Sequence, residues 1–92
     1  MQFRFREYIE DEKKYKLISI TNVDDYDIFF KTLTFMQEHK CEFPIEVNND
    51  GIVESGNTDD YYVENVAFCV SKDYSEENGL RPHFVVDVKE AF

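Results

Sequence analysis

Residues 61–71 read Tyr61-Tyr62-Val63-Glu64-Asn65-Val66-Ala67-Phe68-Cys69-Val70-Ser71, and whether this stretch is strand or helix decides the fold. Tyr62, Val66, Phe68 and Val70 share one parity, the period of a half-buried strand, while Val63, Val66, Ala67 and Val70 also fit one face of a helix. The density of β-branched and aromatic residues favours strand. Downstream, Lys72 to Gly79 is a polar loop, and His83 to Lys89 repeats the strand pattern with Phe84, Val86 and Val88 aligned. Upstream, Phe43 to Val47 reads as a short strand ending at Asn48-Asn49-Asp50-Gly51, whose Asp-Gly pair signals a turn before Ile52 and Val53. Glu54 to Asp60, with Ser-Gly-Asn-Thr inside it, predicts a mobile acidic loop.

The first half of the chain is simpler. Gln2 to Glu10 alternates, with Phe3, Phe5 and Ile9 on one side and Arg4, Arg6 and Tyr8 on the other, and Lys14 to Thr21 returns as the second strand of a hairpin. Thr21 or Asn22 is placed to cap a helix whose first turn carries Asp24, Asp25 and Asp27 beside the positive end of the helix dipole. The helix is expected over about 23–40, with Tyr26, Phe29, Phe30, Leu33 and Met36 on one stripe. Ile28 and Phe35 lie a heptad apart on the opposite side, where they pack under another element or form an exposed contact patch. The predicted architecture is α+β in one domain, residues 1–92: an antiparallel sheet of about four to six strands with the helix on one face.

Ten basic and twenty acidic residues give a net charge of −10, yet 42% hydrophobic content and fifteen aromatics (nine Phe, six Tyr) separate the chain from acidic disordered tails. Such acidity disfavours direct binding to nucleic acid or an anionic membrane, which require clustered Lys and Arg. No apolar run is long enough to span a membrane and the first residues do not read as a signal peptide, so a cytoplasmic location is expected, with Cys41 and Cys69 reduced and packed as small core residues. The charge is unevenly placed. From Cys41 to Ser71 there is no Lys or Arg, but seven carboxylates occur: Glu42, Glu46, Asp50, Glu54, Asp59, Asp60 and Glu64. A run of one sign cannot neutralise itself locally and projects a field that attracts a basic partner.

Three short patterns have the look of chemical sites. Glu46 to Val53 resembles the first half of a calcium-binding helix-loop-helix loop, but Asn57 stands where the closing bidentate carboxylate belongs and Pro44 blocks the incoming helix. His39, Cys41, Cys69 and His83 are zinc-binding types without paired short spacing. Asp87-Val88-Lys89 resembles the D-x-K element of metal-dependent nucleases, but the rest of such a site is missing. Three glycines cannot build a phosphate loop. The expectation is therefore no catalytic residue, no metal and no cofactor.

Tyrosine beside carboxylate recurs instead, at Glu7-Tyr8, Asp25-Tyr26-Asp27, Asp59-Asp60-Tyr61-Tyr62 and Asp73-Tyr74. Carboxylates facing Arg and Lys stand in for phosphates, and tyrosine rings stack on guanidinium planes. In this profile the chain resembles the small acidic inhibitors that phages and bacteria deploy against nucleic-acid enzymes, including anti-CRISPR, anti-restriction and nuclease-toxin immunity proteins. The resemblance is one of class. It implies a nucleic-acid mimic, monomeric or homodimeric, that occludes a basic surface of a nuclease or effector complex through Glu42, Glu46, Asp50, Glu54, Asp59, Asp60, Tyr61, Tyr62 and Glu64. The alternatives are an immunity protein of a nuclease toxin and a non-inhibitory accessory subunit that binds through Ile28 and Phe35.

Overall fold

A computed structural model describes the backbone of residues 1–49 and 52–91 and the side chains of residues 1–45 and 60–91. The elements run β1 (Gln2–Ile9), β2 (Lys14–Asn22), α1 (Tyr26–His39), β3 (Glu42–Asn49), β4 (Ile52–Lys72) and β5 (Leu80–Glu90). The five strands form one sheet in the order β2-β1-β5-β4-β3, with α1 packed on one face. The fold is thus α+β, with a single helix among the described residues. The sheet is mixed, however, because β1 pairs with β5 in parallel, Phe3 beside Phe84 and Phe5 beside Val86, while the other three pairings are antiparallel. The reason lies in the connection. α1 carries the chain from one edge strand, β2, across to the other, β3, and the β3-β4-β5 meander then folds back to the middle. The direction of its last strand is set by where the crossing lands.

Alternation in β1 puts Phe3 and Phe5 into the core and Arg4 and Arg6 on the opposite face. The Phe3 ring stacks on Phe84 at 4.7 Å and meets the edge of Phe29 at 4.6 Å. Around these rings close Ile18, Leu33, Ile45, Tyr61, Val63, Val86 and Val88, with Phe30, Met36, Phe43 and Val66 partly buried against them. From the helix, Phe29, Phe30, Leu33 and Met36 face this core as their spacing predicts, but Tyr26 is exposed.

Residues 61–71 are strand, within the single long β4. The one-parity pattern read from Tyr62, Val66, Phe68 and Val70 is broken: Val63 faces Val88 while Asn65 faces Asp87, so Glu64 is an extra residue in the ladder. Such a bulge shifts the inward set from Tyr61 and Val63 before it to Val66 after it, with Phe68 on the same face, its ring against Phe84 but largely exposed. A matching shift in β2, between the Phe5↔Ser19 and Arg6↔Leu17 pairs, leaves Ile18 unmatched and buried.

Three other expectations change. The backbone from Glu54 to Asp60 is part of β4 instead of a loop, with Asp59 opposite Ile45 and Thr58 opposite Glu46. On the other side of that hairpin Asn49 pairs with Ile52, and Asp50 and Gly51 lie outside the described residues. The helix starts later than residue 23, at Tyr26. Its N-cap is Asp25, without a side-chain cap bond, because Thr21 and Asn22 belong to β2. The ladder holds them there: the Met1 ammonium donates to the Val23 carbonyl at 3.0 Å and the Val23 N–H donates to the Met1 carbonyl at 2.9 Å. At the far end Lys40 takes a left-handed conformation (φ 51°), a common helix stop, and Pro44 lies within β3. Cys41 and Cys69 are unbridged and half-buried, not core residues. Among the described residues no helix is long and apolar enough to cross a membrane.

The β4–β5 connection is pinned by Asp73. Its carboxylate accepts from the Ser75 hydroxyl at 2.6 Å and the Ser75 N–H at 3.0 Å and pairs with Arg81 at 2.7 Å, while Gly79, at φ 71°, supplies the left-handed turn back into β5. The Ser75 hydrogen bonds, and after them the Arg81 charge, hold the Asp73 carboxyl below the usual aspartate range. A lowered native value stabilises the fold above the unfolded pKa of about 3.9 and loses that contribution as pH falls through the native value. Urea midpoints of the native chain should therefore drop below pH 4 by more than those of Asp73→Asn, which lacks this titration. Parallel acid profiles of the two chains would exclude the role.

Candidate acidic binding surface

The sheet face opposite the helix carries carboxylates mixed with Arg4, Arg6 and Lys89, and further carboxylates lie at the end where β1 and β5 finish. Along β4, Glu42 of β3 lies opposite Tyr62, and Tyr62 in turn opposite Lys89 of β5. The Tyr62 hydroxyl donates to Glu42 Oε1 at 2.7 Å, and this bond to a carboxylate raises the phenol pKa above its ordinary value. Glu42 and Glu64 are exposed and Asp60 and Tyr62 half-exposed. Tyr61 is not part of this surface: at 4% exposure it is a core residue, turned inward by the parity that the bulge imposes. Asp50 and the side chains of Glu46, Glu54 and Asp59 lie outside the described residues. Ile28 and Phe35, 67% and 56% exposed, form the outer face of the helix, with the Phe35 ring 4.1 Å from that of His39.

The structure adds carboxylates that the run from Cys41 to Ser71 does not contain. Pairing of β1 with β5 ends at Glu7 beside Val88, yet β1 continues to Ile9 and β5 to Glu90. Where the two strands part, an open cleft of about 890 Å³ is lined by Glu7, Glu10, Asp11, Glu64, Asp87 and Glu90. Lys89 is the one cation among its described lining residues. The Glu90 N–H donates to Glu7 Oε2 at 2.8 Å and ties the strand ends together. Beneath, Arg6 pairs with Asp87 at 2.6 Å and lies over the Tyr15 ring at 3.8 Å, and Tyr15 meets Tyr8 edge-on at 5.2 Å. Crowding carboxylates in a cleft with protein walls focuses the field beyond what the same charges do on a flat surface.

Glu64 joins the two regions, since it sits at the β4 bulge and lines the cleft. The sequence marks Glu7 only as half of a Glu7-Tyr8 pair and does not single out Glu10, Asp11 or Glu90, because these residues come from the two ends of the chain and meet only through the parallel β1/β5 join. In the first sixteen residues the basic neighbours Arg4, Arg6, Lys13, Lys14 and Lys16 mask the acids. Asp87, read as a possible nuclease acid, is occupied by Arg6, and no group of three metal-binding side chains occurs among the described residues. No family model, curated protein or solved structure matches this chain. What the site can do must come from its charge and shape: receive cationic side chains, with tyrosine rings at the margin for guanidinium stacking.

Proposed function

We propose that the protein is a stoichiometric binder that covers a basic, nucleic-acid-binding surface of a partner enzyme and thereby excludes the nucleic acid. The observation that carries this reading is the cleft at the β1/β5 strand ends, lined by Glu7, Glu10, Asp11, Glu64 and Glu90 with Lys89 as the one cation among its described lining residues. Glu42, Asp60 and Tyr62 extend the anionic surface toward the β3 edge. Single exposed pairs contribute only about 0.2–1 kcal/mol, so tight binding requires many of them at once together with aromatic contact area. A phage anti-defence inhibitor and an immunity protein of a nuclease toxin both fit this chemistry, and either acts in the cytoplasm, where the partner enzyme meets nucleic acid.

Affinity capture from a host lysate tests the reading. The retained protein should be basic, should leave the column as salt rises because exposed pairs are screened over about 8 Å at physiological ionic strength, and should also be displaced by added duplex DNA or RNA. Capture that survives both salt and nucleic acid defeats the proposal. If it is then abolished by Phe35→Ser, the contact is the apolar helix face and the protein is an accessory subunit, the reading that the exposed Ile28 and Phe35 favour.

A further inference from the structure

The second cleft lies on the other side of the molecule and has the opposite chemistry. β2 and β3 are the two edges of the sheet, but the sheet curls so that they approach each other beneath α1. They leave a space of about 400 Å³ walled by Phe5, Phe29, Leu33, Met36, Phe43 and Ile45. Three hydroxyl residues, Ser19, Thr21 and Thr32, also line it, and among its described lining residues none is charged. Ser19 stands out. It is 8% exposed and points to the core side, beside Phe5 in the β1/β2 ladder, yet its hydroxyl has no hydrogen-bond partner among the described residues. A buried hydroxyl without a partner carries the full cost of its lost hydration, and natural proteins rarely leave one so unless something else satisfies it. Thr32, at the rim, already donates to the Ile28 carbonyl at 2.9 Å.

We propose that this cleft binds a neutral, largely apolar small molecule bearing one oxygen that hydrogen-bonds the Ser19 hydroxyl. Its volume falls in the range of small-molecule sites, which combine apolar walls with few polar groups. An apolar cavity of about 150 Å³ takes benzene, so this space holds an occupant of roughly fifteen non-hydrogen atoms. The uncharged lining excludes an ionised head group, which would have to be desolvated without a counter-charge. Aromatic or alkyl ketones and alcohols have the required form. The site is independent of the acidic cleft, and its failure would leave the proposed function untouched.

The test uses two neutral probes, the naphthyl ketone prodan and decanol, with the full chain. Prodan should bind saturably at one site with blue-shifted emission, decanol should displace it, and amide NMR shifts should concentrate at Ser19, Thr21, Phe29, Leu33 and Phe43. Ser19→Ala should weaken prodan about fivefold, the loss expected for one hydrogen bond. The same variant should melt no lower than the native chain without probe, because it removes an unpartnered buried hydroxyl; a purely structural serine would give the reverse. Thr32→Trp, on the exposed rim, should abolish binding with the fold intact. Absence of saturable binding overturns the proposal, as do unchanged affinity in both variants or shifts centred on the exposed Phe68, Val70 and Leu80.

Discussion

Phe3→Ala removes about 3–5 kcal/mol of stability, the usual cost of truncating a fully buried aromatic ring. Phe3 is 0% exposed, and its ring is held by Phe84 on one face and the Phe29 edge on another, so no neighbour can swing in to refill the space without abandoning its own contacts. The position matters as much as the area. Phe3 sits on β1 next to the parallel join with β5 and under α1, so it is one of the few side chains that holds the hairpin, the meander and the helix at once. Domains of this size are stable by only about 5–15 kcal/mol, and a net charge of −10 lowers the margin further. The variant should therefore be largely unfolded at modest urea, with the circular dichroism midpoint collapsing. Phe35→Ala, which removes an equal ring from the exposed helix face, should move the midpoint little. Comparable shifts for the two variants would mean that the core does not centre on Phe3.

Why some of this was legible in the chain and some was not follows from the range of the interactions involved. Periods of two in Gln2 to Glu10 and in His83 to Lys89, and the helical spacing of Phe29, Phe30, Leu33 and Met36, are local, and Phe3, Phe5, Phe84, Val86, Val88 and these four helix residues face the core as the pattern predicts, whereas Tyr26 of the same stripe is exposed. The outward placement of Ile28 and Phe35 was one of two alternatives that the wheel left open. The parity of β4 could not be read, because the bulge at Glu64 depends on how β4 meets β5, and a one-residue shift exchanges the faces. That shift is what sends Tyr61 into the core. The late helix start had the same origin: Thr21 and Asn22 have good capping side chains, but the Met1–Val23 bonds draw them into the sheet. The acidic cleft is the furthest from local pattern. Glu10 and Glu90 are eighty residues apart in sequence, and only the parallel β1/β5 pair brings their strands side by side.

The triple substitution Glu10→Gln, Asp11→Asn, Glu64→Gln should slow association with the basic partner about tenfold to a hundredfold at low salt, with a much smaller effect at high salt. The first two residues come from the turn that follows β1, the third from the bulge of β4, and all three line the same cleft. None is ion-paired among the described residues, whereas Asp87 in the same cleft is held by Arg6 and is left untouched. Steering by a focused field acts on the encounter rate more than on the lifetime of the complex, so surface plasmon resonance should show the loss in the association phase. A second readout separates function from folding. Removing three like charges from one cleft relieves self-repulsion, so the variant's urea midpoint should rise while its binding falls. Opposite signs in the two measurements are the signature of charges retained for a partner at the expense of the fold. If the midpoint falls instead, those carboxylates hold the structure together; if the association rate is unchanged, the cleft does not face the partner.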